Sequence, residues 1–168
     1  MFRGSATRSA LSATVKVCSG HKDLGDAEFR KRLTAVQFAV LRQARTEPRS
    51  ITMAKGGFDD HFEPNGEYLC AACDSPLYTS AMKFDCGCGW PGFWTNIKDS
   101  VAERPDEDGS GRAEILCSAC SSHLGHVFRG ERFTNPEPNE RHCVNSVSLK
   151  FKDRSGVVTS CTYNGPAY

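Results

Sequence analysis

Arg141-His-Cys-Val-Asn-Ser-Val-Ser-Leu149 reads as a β-strand. Its alternation places Cys143, Asn145, Val147 and Leu149 on one face, so a thiol and an amide share a side with residues of core character. The thiol is therefore expected where a core meets its rim. Arg141 precedes Cys143 on the same face, and a fixed positive charge beside a thiol raises its thiolate fraction. Taken alone, the stretch also fits a core cysteine in an edge strand, because cysteine is among the most buried residue types.

Outward from this strand the pattern remains β. Short runs of β-branched and aromatic residues separated by turn signals predict strands at 67–70, 77–78, 83–85, 113–117, 127–128 and 142–151, with a polar loop across 105–111. Such recurrence points to antiparallel sheets. From Asp26 the period becomes helical, with Phe29, Leu33, Val36 and Val40 forming a stripe. Thr34 followed by Gln37 is a capping box, which predicts two short helices meeting at Thr34 and ending before Pro48. The segment 152–168 is expected to be a last strand near 157–163 or a tail. Residues 1–22 carry Arg3, Arg8, Lys16 and Lys22 with no acidic residue, the composition of a mitochondrial transit peptide or of a disordered tail.

A length of 168 residues suits one domain, here 26–151, plus a separate end. The net charge of +1, with no basic run, disfavours nucleic acid, and no apolar stretch approaches the roughly 20 residues of a membrane helix. Nine cysteines, an odd number, argue against a secreted disulfide framework.

Four of the cysteines form two Cys-x-x-Cys pairs, Cys70/Cys73 and Cys117/Cys120, the ligand set of a closed tetrahedral zinc site. The 43 residues between the pairs mean that such a metal would tie two distant hairpins together. A four-sulfur shell leaves no open position for substrate, so the site would be structural. A thioredoxin-like redox pair is the rival, and the strand-helix-strand context that it needs is missing. In Lys83-Phe-Asp-Cys-Gly-Cys-Gly-Trp-Pro-Gly-Phe93, Gly87 and Gly89 flank Cys88 and would let its thiol swing, while Trp90 offers a broad apolar ring. A tight turn with a buried Trp accounts for the stretch equally well. In His123-Leu-Gly-His-Val-Phe128 the two histidines suit metal ligation or a core, and the spacing does not decide.

Together, Cys70-Ala-Ala-Cys73 with Pro76-Leu77, Lys83-Phe-Asp, Gly87-Cys-Gly-Trp-Pro91, Cys117-Ser-Ala-Cys120, His123 to Phe128 and Arg141 to Phe151 resemble the B-type methionine-R-sulfoxide reductases, from about residue 26 to 151. The resemblance implies a mainly β fold of two antiparallel sheets in a rolled arrangement with short N-terminal helices. It implies Cys143 as the nucleophile that attacks the sulfoxide sulfur, Cys88 as the resolving thiol, and His123 or His126 as the proton donor. Trp90, Phe128, Arg141 and Asn145 would surround the substrate, and Cys70, Cys73, Cys117 and Cys120 would hold one structural zinc. The reaction would pass through a Cys143 sulfenic acid and a Cys88–Cys143 disulfide. A thioredoxin-type dithiol would recycle that disulfide, the substrates would be oxidised proteins, and the chain would be a monomer. Gly92, His142 and Cys86 depart from the usual pattern, and Cys86 leaves the identity of the resolving thiol open. A zinc-ribbon interaction module is the rival from another class, and it leaves Cys88, Cys143, Trp90 and the histidines unexplained.

Overall fold

In a computed structural model, which describes residues 24–168, the segment 141–149 is two strands in two different sheets. Strand β8 (Arg141–Val144) ends, a 3-10 turn at Ser146–Ser148 follows, and β9 (Leu149–Asp153) begins. The expected single strand is corrected here, and the cause is distant in sequence. The Glu47 carboxylate accepts the N–H groups of Ser146 at 2.6 Å and Val147 at 2.8 Å, donors that a continuing ladder would have used. Past Val144 the alternation is lost. Asn145, Ser146, Val147 and Ser148 are all buried, whereas Cys143 is half-buried.

The remaining strands are β1 (Gly66–Cys70), β2 (Pro76–Thr79), β3 (Lys83–Phe84), β4 (Gly92–Phe93), β5 (Val101–Pro105), β6 (Ala113–Cys117), β7 (His123–Phe128) and β10 (Val158–Ser160). One sheet runs β10-β9-β1-β2 and the other β3-β4-β8-β7-β6-β5, and every pairing is antiparallel. The mainly β fold of two antiparallel sheets is as the sequence implied. Strands β4 and β5 were not anticipated. The first has only two residues, and β5 is an exposed edge whose Val-Ala-Glu-Arg-Pro sequence has no buried face to reveal it.

The sheets meet through aromatic rings. Tyr78 of β2 stacks on Phe93 of β4 with centroids 4.1 Å apart, and Tyr68 of β1 meets the same ring edge-on at 5.0 Å. His142 is buried in this interface, between the Tyr78 hydroxyl at 3.2 Å and the Glu140 carboxylate at 3.1 Å, so both ring nitrogens have partners.

The helices are α1 (Asp26–Arg32) and α2 (Ala35–Gln43), with the capping box present: Gln37 N–H donates to Thr34 Oγ1 and Thr34 N–H to Gln37 Oε1. Acidic residues in the first turn of α1 and basic residues in its last turn suit the helix dipole. Val36, Val40 and Leu41 bury the inner face of α2 against β7 and the 3-10 turn. Arg42 reaches from α2 to the Cys120 carbonyl at 3.0 Å. The stretch 1–22, with Cys18, lies outside the described residues. Among the described residues no helix is long and apolar enough to cross a membrane.

Candidate functional site

One transverse row of residues crosses the larger sheet. The register pairs Phe84 with Gly92, Gly92 with Cys143, Cys143 with His126, His126 with Glu114, and Glu114 with Arg104. Directly paired residues project to the same face, so Cys143 has the backbone of Gly92 on one side and the His126 imidazole on the other. Two residues along the strands, Arg141 pairs with Phe128, and its guanidinium lies over that ring at 4.1 Å. Glu131 grips Arg141 through two bonds of 2.5 and 2.7 Å, which keeps the cation in place beside the thiol.

Three sulfurs meet at this row. Cys88 Sγ lies 3.1 Å from Cys143 Sγ and 3.1 Å from Cys86 Sγ, and all three are free thiols. Cys88 needs no swing to reach Cys143, which corrects the hinge reading of its glycines. Gly87 (φ +67°) and Gly89 (φ +82°) are instead required because both occupy the left-handed region. The loop is fastened on several sides. Ser50 N–H donates to the Gly89 carbonyl at 2.6 Å, Val144 N–H to that of Pro91 at 3.0 Å, and Trp90 Nε1 to that of Glu47 at 3.3 Å. Arg49 covers the Trp90 ring at 5.0 Å.

The hydrogen bond from Cys143, then that from Cys86, draws the Cys88 thiol well below its ordinary range. The same bonds, followed by burial, push Cys143 and Cys86 up. Arg141 favours the thiolate at all three positions. The three thiols are thus coupled, and the cluster favours the thiolate at Cys88 over Cys143 and Cys86.

His123 is buried, with Nδ1 2.7 Å from Glu114 Oε1 and Nε2 without a partner. Arg104 pairs with the other oxygen of Glu114. His123 and His126 stand edge to face, 5.7 Å apart, and His126 Nε2 lies 3.4 Å from Asp106. Burial lowers the His126 pKa, and Asp106 opposes that shift. Both histidines line a cavity of about 350 Å³ together with Arg104, Asp106, Arg112 and Glu114. A larger cavity of about 650 Å³ lies between residues 64–67 and 152–156, with no cysteine or histidine in its walls.

Asn145 does not reach this cleft. Its Oδ1 accepts the Glu47 N–H at 3.0 Å and its Nδ2 donates to the Leu124 carbonyl at 2.9 Å. Both ends of the amide are used, so the expected substrate contact is corrected to a positioning role at the end of β8. Sequence reasoning missed Glu47 and Glu114. An acidic residue inside the otherwise apolar Ala113–Cys117 was a usable signal for Glu114, whereas nothing local marks Glu47.

The two Cys-x-x-Cys turns are structural copies. Cys70 N–H donates to the Ser75 carbonyl as Cys117 N–H does to that of Ser122, and Asp74 and Ser121 share a left-handed backbone. The four Sγ atoms of Cys70, Cys73, Cys117 and Cys120 lie within 4.8 Å of one another, with Cys70–Cys120 and Cys73–Cys117 each at 3.7 Å. A tetrahedron with metal–sulfur bonds of about 2.3 Å has edges of about 3.8 Å, so these buried thiols can hold one metal ion. Neither His123 nor His126 belongs to this group.

The SelR domain family model matches residues 33–153. Peptide methionine sulfoxide reductase B5 of Oryza sativa subsp. japonica is 47% identical over 137 residues, which cover 82% of this chain and 96% of that protein. Peptide methionine sulfoxide reductase B8 of Arabidopsis thaliana is 46% identical over 142 residues, 84% of this chain and 94% of that protein. The chloroplastic peptide methionine sulfoxide reductase B2 of Arabidopsis thaliana is 49% identical over 126 residues, 75% of this chain and 59% of that protein. With most of its length matched both by the family and by these relatives, the chain belongs to the SelR family, the B-type methionine sulfoxide reductases.

Proposed function

We propose that the chain is a peptide-methionine (R)-S-oxide reductase in which Cys143 is the nucleophile and Cys88 the resolving thiol. The observation that carries the reading is the Cys143–Cys88 contact of 3.1 Å, flanked across the sheet by His126 and along the strand by Arg141. Cys88 takes the proton of Cys143, and the Cys143 thiolate attacks the sulfoxide sulfur. His126 or His123 supplies a proton to the oxygen, methionine leaves, and Cys143 retains the oxygen as a sulfenic acid. The Glu114 carboxylate on Nδ1 orients the His123 ring and leaves Nε2 without a protein partner. The Cys88 thiol then attacks the sulfenic sulfur, and a Cys88–Cys143 disulfide forms with loss of water. A thioredoxin-type dithiol reduces it by exchange.

Trp90, Phe128 and Arg141 are the substrate-facing groups of this reading. The ion held by Cys70, Cys73, Cys117 and Cys120 is a structural zinc, in keeping with an all-thiolate shell. The catalytic unit is 26–151, working as a monomer on oxidised proteins. The basic stretch 1–22 acts as a mitochondrial transit peptide, a reading supported by its acid-free composition, while the names of two relatives specify the chloroplast. The test is incubation with each epimer of methionine sulfoxide and excess dithiol. Methionine from the R epimer alone is expected, and equal turnover of both would refute the stereochemical assignment.

A further inference from the structure

The third thiol of the cluster has no part in that cycle. Cys86 lies between the exposed residues Asp85 and Gly87, at the rim of the loop, and its Sγ is 3.1 Å from Cys88 Sγ. Room for it comes from Gly92. A Cβ at position 92 would lie 2.6 Å from Cys86 Sγ and 3.0 Å from the Phe84 carbonyl oxygen, so the missing side chain opposite Cys143 is what seats the extra thiol. The two departures seen in the sequence, cysteine at 86 and glycine at 92, are thus one structural feature. Cys88 is the shared member of the cluster, in contact with Cys143 on one side and Cys86 on the other.

From this arrangement we propose that Cys86 is a second resolving thiol, which attacks Cys88 Sγ in the Cys88–Cys143 disulfide and moves the disulfide to Cys86–Cys88 at the rim. The inference rests on the reductase reading above. The exchange is redox-neutral. The Cys86 thiol loses its proton to water as its sulfur bonds to Cys88 Sγ, the Cys88–Cys143 bond breaks, and Cys143 leaves as the thiolate, with Arg141 beside it to stabilise that charge. Two consequences follow. The dithiol reductant meets a disulfide within one loop, beside the exposed Asp85 and Gly87, instead of one that ties the loop to β8. The nucleophile is also regenerated before any reductant arrives, so a second sulfoxide is reduced at its expense, and that step draws the exchange forward. After it, Cys143 remains as sulfenic acid with no thiol left to resolve it.

The experiment counts methionine. Fully reduced protein with no external reductant is mixed with excess R-sulfoxide, and methionine released per chain is measured for the wild type, Cys86→Ser and Cys143→Ser. About two methionines per chain from the wild type and about one from Cys86→Ser are expected. Peptide mapping should then find Cys86 and Cys88 in a single peptide lighter by two hydrogens. Serine is close in size to cysteine, and circular dichroism together with release of the first methionine shows that Cys86→Ser is folded. A yield of one from the wild type, equal yields from wild type and Cys86→Ser, or a Cys88–Cys143 disulfide as the end product would overturn the relay while leaving the reductase reading intact. No methionine from the wild type, or an undiminished yield from Cys143→Ser, would instead overturn the reductase reading itself.

Discussion

Replacing Glu47 by glutamine tests the interaction that splits 141–149 into two strands. The Glu47 carboxyl is 2% exposed and faces two backbone donors, Ser146 N–H at 2.6 Å and Val147 N–H at 2.8 Å. Those bonds favour the charged form, yet burial outweighs them and pushes the pKa up from 4.5 to about 7. A folded-state value raised above the unfolded one means that the group favours folding while protonated. Its contribution is complete below about pH 4.5 and is lost as pH rises through about 7. The shift is worth about 3 kcal/mol at 1.36 kcal/mol per unit. Glutamine matches the neutral acid in shape, with one strong carbonyl acceptor in each and a weaker second acceptor in the acid's hydroxyl oxygen. Wild type and Glu47→Gln should therefore be close in stability at pH 5, and the variant should be the more stable by about 2 to 3 kcal/mol at pH 8. With a urea slope of about 2 kcal/mol per molar, the midpoints at pH 8 would differ by about 1 M or more. Urea unfolding followed by tryptophan fluorescence at both pH values, with metal-loaded protein, reads the difference directly. A variant that is less stable than wild type at pH 8 would refute the reasoning. It would show that two charge-assisted hydrogen bonds outweigh the burial of the charge.

Cys88→Ser should release about one methionine per chain and then stall with a protein dithiol as the reductant, whereas Cys143→Ser should release none; sustained turnover by Cys88→Ser would remove the resolving role. Metal analysis of freshly purified reduced protein should give about one zinc per chain, and chelation should lower the thermal midpoint, because metal binding free energy is available to folding. With His126 as the proton donor, its lowered pKa makes the single-turnover rate fall with rising pH from below the ordinary imidazole range, and His126→Asn should flatten that profile. His123→Ala should cost about 10²-fold or more in the chemical step, and a smaller loss would assign the proton to another group.

What was legible in the sequence was what is local. The capping box at Thr34 involves residues three apart, and each half of the metal site is a single turn, so both could be read from a few adjacent letters. The strand at 141–149 could not. Its alternation ends because a carboxylate nearly a hundred residues away captures two of its N–H groups, and no periodicity records that. Asn145 shows the same effect: as a polar residue beside a nucleophile it reads as a substrate ligand, but the backbone of Glu47 and Leu124 uses both ends of its amide. From the sequence alone the glycines around Cys88 read as a hinge. They set a left-handed path that already delivers the thiol, and the loop is fixed by bonds from Ser50, Trp90 and Val144.

The break at 145–148 also joins the two sulfur centres. Ala71, inside the first metal-binding turn, donates its N–H to the Ser148 carbonyl at 2.9 Å, and Cys70 pairs with Leu149 at the start of β9. Ser148 Oγ in turn donates to the His123 carbonyl at 3.2 Å, and Asn145 N–H donates to that of Leu124 at 2.9 Å. A continuous strand would have carried the chain straight past this junction. The turn instead gives the segment after Cys143 bonds to a metal-binding loop, to the histidine strand and to Glu47, whose own carbonyl holds Trp90. The closed four-thiol site has no position for substrate, yet its backbone is hydrogen-bonded to the element that directly follows Cys143. A metal that orders the two Cys-x-x-Cys turns thereby also orders the base of the strand that presents Cys143 to Cys88 and His126.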